Sequence, residues 1–248
     1  MAQGVMEIKR EPLDGKDFLI NVSAHHSFGT DAVLLEHFAQ PKANDIAIDL
    51  GTGCGIIGFL MLRDNKTKVV YGVDISAEAI DLCKKTVAEL NLQKNFIPIL
   101  SDLKDLKGKV PFGSATLITC NPPYKAEGAG IKNPDTTDAV ARHEVACSLA
   151  DIVGVASKLL NTSGRLCMCL RPERLAELLC LMSENGVEPK KLRFVAQKQG
   201  KEPWLFLVEG KKGAKKGLRV APTLYVEADN GFSEEMLDIY GAYKENYL

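Results

Sequence analysis

Ile46-Ala47-Ile48-Asp49-Leu50-Gly51-Thr52-Gly53-Cys54-Gly55-Ile56 is the stretch on which the fold turns. Its first five residues form an apolar run with one carboxylate, the length of a buried strand. Three glycines at alternate positions then make a turn, where backbone without side chains can approach a ligand closely. Ile56 to about Arg63 is an apolar helix behind it. Reading outward, Val69–Asp74 is a second strand, and Ser76 caps a helix with apolar positions at Ala79, Ile80, Cys83, Val87 and Leu90. Phe96–Leu100 and Ala115–Cys120 read as strands three and four. A helix from Glu144 to Leu160, ending near Ser163-Gly164, leads to strand five, Arg165–Leu170. Pro172 opens a helix to about Asn185-Gly186, and Lys191–Gln197 with Trp204–Glu209 reads as an antiparallel hairpin over Gly200. Upstream lie a hairpin around Leu13-Asp14-Gly15 and a helix to about Ala39 capped by Thr30 or Asp31; downstream lie an extended piece, Leu224–Val226, and a helix from Ser233. The alternation predicts an α/β fold, a mostly parallel sheet with helices on both faces. The polar, glycine-rich stretch from Lys125 to Arg142 interrupts it with a long loop, functional or disordered.

Composition excludes several classes. With 46% hydrophobic and 25% charged residues and net charge −1, the chain is of ordinary globular make-up. It contains no run of 18 apolar residues and no signal-peptide-like start, so a cytoplasmic location without membrane spans is expected. Seven cysteines occur without a C-x-x-C and read as reduced core thiols; the four histidines are scattered, and no metal site is expected. Lys211, Lys212, Lys215, Lys216 and Arg219 place five cations in nine residues, either a solvated loop or a phosphate-contacting edge.

Chemistry concentrates at Asn121-Pro122-Pro123-Tyr124, just past strand four. Ligands of open α/β sheets bind at that carboxyl edge. The prolines remove two backbone donors and leave carbonyls able to accept, the asparagine oxygen accepts as well, and the tyrosine can stack on a flat ring. The set suits a planar amino group such as the exocyclic amine of adenine; a proline turn with a buried tyrosine is the plain alternative. Asp74, 21 residues after Gly53, stands where a ribose diol would be held. Both NAD and S-adenosylmethionine sites use this arrangement. Gly53-Cys-Gly55-Ile-Ile-Gly58 even satisfies G-x-G-x-x-G, but late in register: counted from the strand, Ile56 occupies the third glycine position.

Asp49–Gly55, Val73-Asp74-Ile75, Ser101-Asp102-Leu103 and Asn121–Tyr124 follow strands one to four in order. This series resembles the class I S-adenosylmethionine-dependent methyltransferases, in the branch that methylates amino groups, over roughly residues 24–210. The resemblance implies a Rossmann-like, seven-stranded sheet of order 3-2-1-4-5-7-6 with the last strand antiparallel. It implies that Gly51 and Gly53 lie against the cofactor's methionine part with Asp49 nearby, and that Asp74 takes the ribose hydroxyls. Ile75 and Leu103 would pack on the adenine and Asp102 accept from its amine. Asn121 and the Pro122 carbonyl would accept the target amine's two hydrogens, facing the donor methyl, while Tyr124 stacks on the base. Phe28-Gly29-Thr30-Asp31-Ala-Val-Leu-Leu35, Ala141–Val145, Leu207-Val-Glu209 with its lysines, and Ile239-Tyr240 are similar to the bacterial methyltransferases of adenosine N6 at position 37 of valine tRNA. That implies Gly29, Thr30 and Asp31 bordering the methionyl group, and tRNA as partner of the 211–219 cations. Arg142-His143-Glu144 would hold down a lid loop or start a helix. One domain is expected over 1–248, with a β extension at 1–28, a cofactor-binding core at 43–210 and a C-terminal extension at 211–248. Guanine N2 of rRNA, glutamine N5 of a release factor, a non-catalytic cofactor- or RNA-binding module and an NAD-dependent oxidoreductase are the alternatives.

Overall fold

The computed structural model describes residues 7–13, 17–63, 67–122 and 147–241. An antiparallel pair, β1 (Ile8–Pro12) and β2 (Leu19–Ser23), opens the chain, followed by α1 (Thr30–Ala39). Then come β3 (Ile46–Leu50), α2 (Ile56–Arg63), β4 (Val69–Asp74), α3 (Ala77–Glu89), β5 (Phe96–Leu100) and β6 (Ala115–Cys120). After the segment 123–146 follow α4 (Leu149–Leu159), β7 (Leu160–Leu170), α5 (Leu175–Glu184), β8 (Val187–Ala196) and β9 (Pro203–Lys212). Short strands β10 (Arg219–Val220), β11 (Leu224–Tyr225), β12 (Glu227–Ala228) and β13 (Gly231–Phe232) precede α6 (Glu234–Tyr240).

The main sheet runs β5-β4-β3-β6-β7-β9-β8, with β10 and β11 both added to the outer side of β8. Counted from β3, that is 3-2-1-4-5-7-6. Only β9 runs against its neighbours β7 and β8; the other pairings are parallel. Apolar side chains cover both faces. One core joins α1, α2 and α3 to the sheet and takes in Ile20 and Val22 of β2 and Met236, Ile239 and Tyr240 of α6. The other packs α4 and α5 against the opposite face.

Several boundaries differ from expectation. The cap of α1 is Gly29, with no side-chain bond, and Thr30 is already helical. Thr30 and Asp31 do not cap because both are bonded to distant parts of the fold. Helix α4 starts at Leu149, after a reciprocal cap of Ser148 and Asp151; the expected start at Glu144 lies outside the described residues. Strand β7 begins at Leu160, directly off that helix, and absorbs the polar Asn161–Gly164 by an irregularity at Ser163 (φ 71°) and a register shift against β6. Pro172–Arg174 forms a 3-10 turn, so α5 starts three residues late.

Candidate active site

Register brings the sequence motifs to one edge. Leu50 pairs with Val73 on one side and Cys120 on the other, and Cys120 pairs with Met168. The next residues therefore stand together at the carboxyl edge of four adjacent strands: Gly51 and Asn121 just past β3 and β6, Asp74 at the last position of β4, and Cys169 at the last but one of β7. Adjacent strands lie about 4.8 Å apart, so the glycine turn is flanked within a ligand's width by Asp74 and Asn121. The Gly51 and Thr52 N–H groups both donate to the Val73 carbonyl, each at 2.9 Å, which pins the turn. Gly51 (φ 75°) and Gly53 (φ 55°) adopt left-handed backbone, and a Cβ on either would meet nothing within 4 Å among the described residues. Bare backbone thus faces open space, as a closely approaching ligand requires.

Asp74 closes the turn from the side. Its Oδ2 accepts from the Gly53 N–H and its Oδ1 from the Ser76 N–H, both at 2.8 Å, and the Cys83 thiol donates to the Gly53 carbonyl at 3.3 Å. A carboxylate has about four lone-pair positions, so the half-buried Asp74 keeps acceptor capacity for a diol. Ile75 is 45% exposed, an uncovered apolar surface beside it. Leu100, 51% exposed and paired in register with Asp74, adds a second that the sequence motifs do not mark. Asp102 caps the 3-10 turn Leu103–Asp105 through the Lys104 N–H at 2.8 Å; its other oxygen takes no hydrogen bond among the described residues, and Leu103 is half-buried beside it.

Asp49 lies beneath this surface, 1% exposed. Thr52 and Thr119 hydroxyls donate to its two oxygens, each at 2.7 Å. Burial pushes its carboxyl up to about 6, with the charge of Asp74 adding to the rise and the two hydroxyls opposing it. Its observed place is as a brace under the turn.

At the end of β6, the Asn121 Nδ2 donates to Asp31 Oδ2 at 2.9 Å, and the Cys169 thiol donates to Asn121 Oδ1 at 3.1 Å. Pro122 is half-buried next to it. Tyr124, the 125–142 loop and Arg142-His143-Glu144 lie outside the described residues. Thr30 Oγ1 meets the Tyr240 hydroxyl at 2.8 Å, so its polar atom is engaged with α6. Next to Asp74, His26 Nε2 lies 3.1 Å from Ser76 Oγ. Sequence reading missed Cys169 and His26. Cys169 follows from β6–β7 register alone; no local signal marks His26.

One expectation, that for the cysteines, needs correction. Of the 211–219 cations, Lys211 and Lys212 lie toward the opposite, amino edge, Lys211 paired with Arg165 and Lys212 with Val187, the first residue of β8, whereas Arg219 pairs with Lys191 within β8. At about 3.3 Å per residue, Lys211 and Lys212 stand about 13 and 17 Å along β9 from Leu207, which pairs with Cys169. The Lys212 ammonium is committed to the Ser157 and Leu160 carbonyls at 2.6 and 2.8 Å, whereas Lys215, Lys216 and Arg219 are exposed. On the carboxyl side Arg171, directly after β7, and Lys104, beside Asp102, are exposed, as are Lys198 and Lys201 on the β8–β9 turn. The cysteines are all free, but Cys180 is exposed and not a core thiol, because α5 buries only Leu178 and Met182. Among the described residues no helix is long and apolar enough to cross a membrane.

A glycine turn, a strand-end carboxylate and an asparagine at the edge of this sheet define a class I, Rossmann-like methyltransferase. The family model "Methyltransferase small domain" matches residues 23–179, more than half the chain, and the chain belongs to that family. It is 28% identical over 181 residues to the tRNA1(Val) (adenine(37)-N6)-methyltransferase of Parabacteroides distasonis, covering 73% of this chain and 75% of that one. The crystal structure of a predicted O-methyltransferase from Agrobacterium tumefaciens matches 86% of this chain and 96% of its own, with TM-score 0.66 and 18% identity. Geranyl diphosphate C-methyltransferase from Streptomyces coelicolor, solved with S-adenosyl-L-homocysteine, matches 73% of this chain and 79% of its own, with TM-score 0.54 and 16% identity.

Proposed function

We propose that this methyltransferase acts on N6 of an adenine in tRNA, with S-adenosylmethionine as methyl donor. The observation that carries the reading is the in-register exit of Gly51 and Asn121 from adjacent strands, which sets a side-chain amide next to a bare backbone turn. The curated relative's activity supports the substrate. Bound S-adenosylmethionine supplies an electrophilic methyl group on its sulfonium. Gly51 and Gly53 would offer backbone to its methionyl part, Asp74 would accept from its ribose hydroxyls, and Ile75, Leu103 and Asp102 would serve its adenine. Asp49 supports the turn from below, and Thr30 anchors the start of α1 beside it.

An aryl amine is a poor nucleophile because its lone pair is delocalised into the ring. The Asn121 amide oxygen and the Pro122 carbonyl accept its two hydrogens, which favours a pyramidal nitrogen with its lone pair aimed at the methyl. Tyr124 stacks on the base. The N–C bond would form as the sulfonium S–CH3 bond breaks, with the neutral thioether S-adenosylhomocysteine as leaving group, and one N–H proton would then be lost to water. Positioning and aimed acceptors supply the catalysis without a strong base. The target adenine must leave its stack to reach these groups. Lys198 and Lys201 meet the nearby phosphates, while Lys215, Lys216 and Arg219 meet more distant ones. A cytoplasmic location is part of this proposal.

The test is transfer of labelled methyl to total tRNA, total rRNA and protein extract, followed by nucleoside analysis. Label in tRNA as N6-methyladenosine is expected; label in rRNA guanine or in protein would replace the substrate. Asn121→Ala should lower kcat by about 10²–10³-fold and leave cofactor affinity nearly unchanged.

A further inference from the structure

We propose that Asp31 is a positioning residue for methyl transfer: it selects the orientation of the Asn121 amide and acts on the reaction only through it. The inference rests on the reading of Asn121 as acceptor for the target amine, and it assigns Asp31 a different task from lining the cofactor's methionyl group.

The two ends of an asparagine amide are nearly equal in size, and rotation about χ2 by half a turn exchanges them with little steric consequence. Their chemistry is opposite. Only the oxygen can accept from a substrate N–H, so a flipped amide would present a donor to a donor. The neighbours therefore decide. Asp31 Oδ2 lies 2.9 Å from Asn121 Nδ2. An ionised carboxylate accepts and cannot donate, so it holds the NH2 end and repels the oxygen. On the other side the Cys169 thiol lies 3.1 Å from Oδ1 and donates to it. Acceptor on one side and donor on the other leave one favourable orientation. The amide oxygen has two lone pairs, and the thiol takes one of them. Acceptance by a carboxylate also shifts electron density through the amide toward its oxygen, which strengthens the bond that oxygen makes to the substrate.

The local sequence is built around this carboxylate. Gly29 has φ −118° and ψ 179°, ordinary extended backbone that any residue adopts. Its glycine serves room: a Cβ there would stand 2.7 Å from Asp31 Oδ1. Thr30 between them is held by the Tyr240 hydroxyl at 2.8 Å, so the first turn of α1 is anchored on one side by α6 while Asp31 reaches the site on the other. Gly29, Thr30 and Asp31 thus provide clearance, anchor and orienting acceptor in three consecutive residues.

The experiment compares Asp31→Ala, Asp31→Asn, Asn121→Ala and the double variant Asp31→Ala/Asn121→Ala by steady-state kinetics on tRNA, calorimetric affinity for S-adenosylmethionine and melting temperature. Asp31→Ala should lower kcat on the order of 10²-fold, with KM and cofactor affinity within about twofold of the parent. Asp31→Asn, whose carboxamide oxygen can still accept from Nδ2 and whose shape is retained, should recover part of that loss. The double variant should be no slower than Asn121→Ala, because Asp31 has nothing left to orient. Weakened cofactor binding at unchanged kcat would make Asp31 a cofactor contact and overturn the proposal. So would losses that multiply in the double variant. If Asn121→Ala itself retained turnover, the acceptor reading would fall first and take this inference with it.

Discussion

Asp49 is the residue most at odds with its surroundings. Burial under the glycine turn pushes its carboxyl up to about 6, well above the usual carboxylate range. Because the folded-state value is the higher one, the folded protein binds this proton more tightly than the unfolded chain. Its contribution is therefore favourable below about pH 4, is lost as pH rises from 4 to 6, and above that amounts to a destabilisation on the order of 3 kcal/mol. Asp49→Asn keeps an acceptor for one threonine hydroxyl and removes the charge. It should raise the melting temperature at pH 7.5 and change it little at pH 4; equal shifts at both pH values would contradict the assignment. The glycines, Asp74 and Asn121 were legible in the sequence because each sits at a strand end where residue type alone implies chemistry. The partners of Thr30 and Asp31 were not. Both read as helix caps, and the groups that claim them, Tyr240 and Asn121, stand 210 and 90 positions away.

Among the elements, α1 is tied down at its far end by Arg165. That guanidinium, on a side chain 15% exposed, donates to the Ala39 and Gln40 carbonyls at 2.5 and 3.3 Å and pairs with Glu209 at 2.9 Å and Asp45 at 3.5 Å. Removing it leaves two carboxylates and two carbonyls with little water. Arg165→Ala should lower stability by about 3–5 kcal/mol in urea denaturation. Ser148→Ala, which breaks the reciprocal cap of α4, should cost about 1 kcal/mol. The order and type of the core elements were legible from alternating apolar runs. Their ends were less so. Glu188-Pro189-Lys190 looks like a loop in sequence, yet it continues β8, because its pairing with β9 supplies bonds that local composition does not announce. The pair β12–β13 is only two residues per strand, too short for any periodicity to show.

At the scale of the whole molecule the sheet has two chemically different ends. The carboxyl edge gathers Gly51, Asp74 and Asn121, with Lys198 and Lys201 on a nearby turn; the amino edge gathers Lys215 and Lys216. A substrate engaged at Asn121 lies on the same, carboxyl side of the sheet as the first pair. Lys198→Glu/Lys201→Glu should therefore raise KM for tRNA more than Lys215→Glu/Lys216→Glu, and should reduce the slope of log affinity against log salt concentration by about 1–2 units. A larger effect from the amino-edge pair would show that RNA wraps the far side of the sheet.

The hydroxyl pair joining Thr30 to Tyr240 links positions whose codons are some 200 apart. During translation the N-terminal helix thus leaves the ribosome long before its clasp has been made. Until that clasp is made, the turn bearing Asp31 lacks one of its restraints, so a released chain truncated before α6 should have an assembled sheet but a poorly set active site.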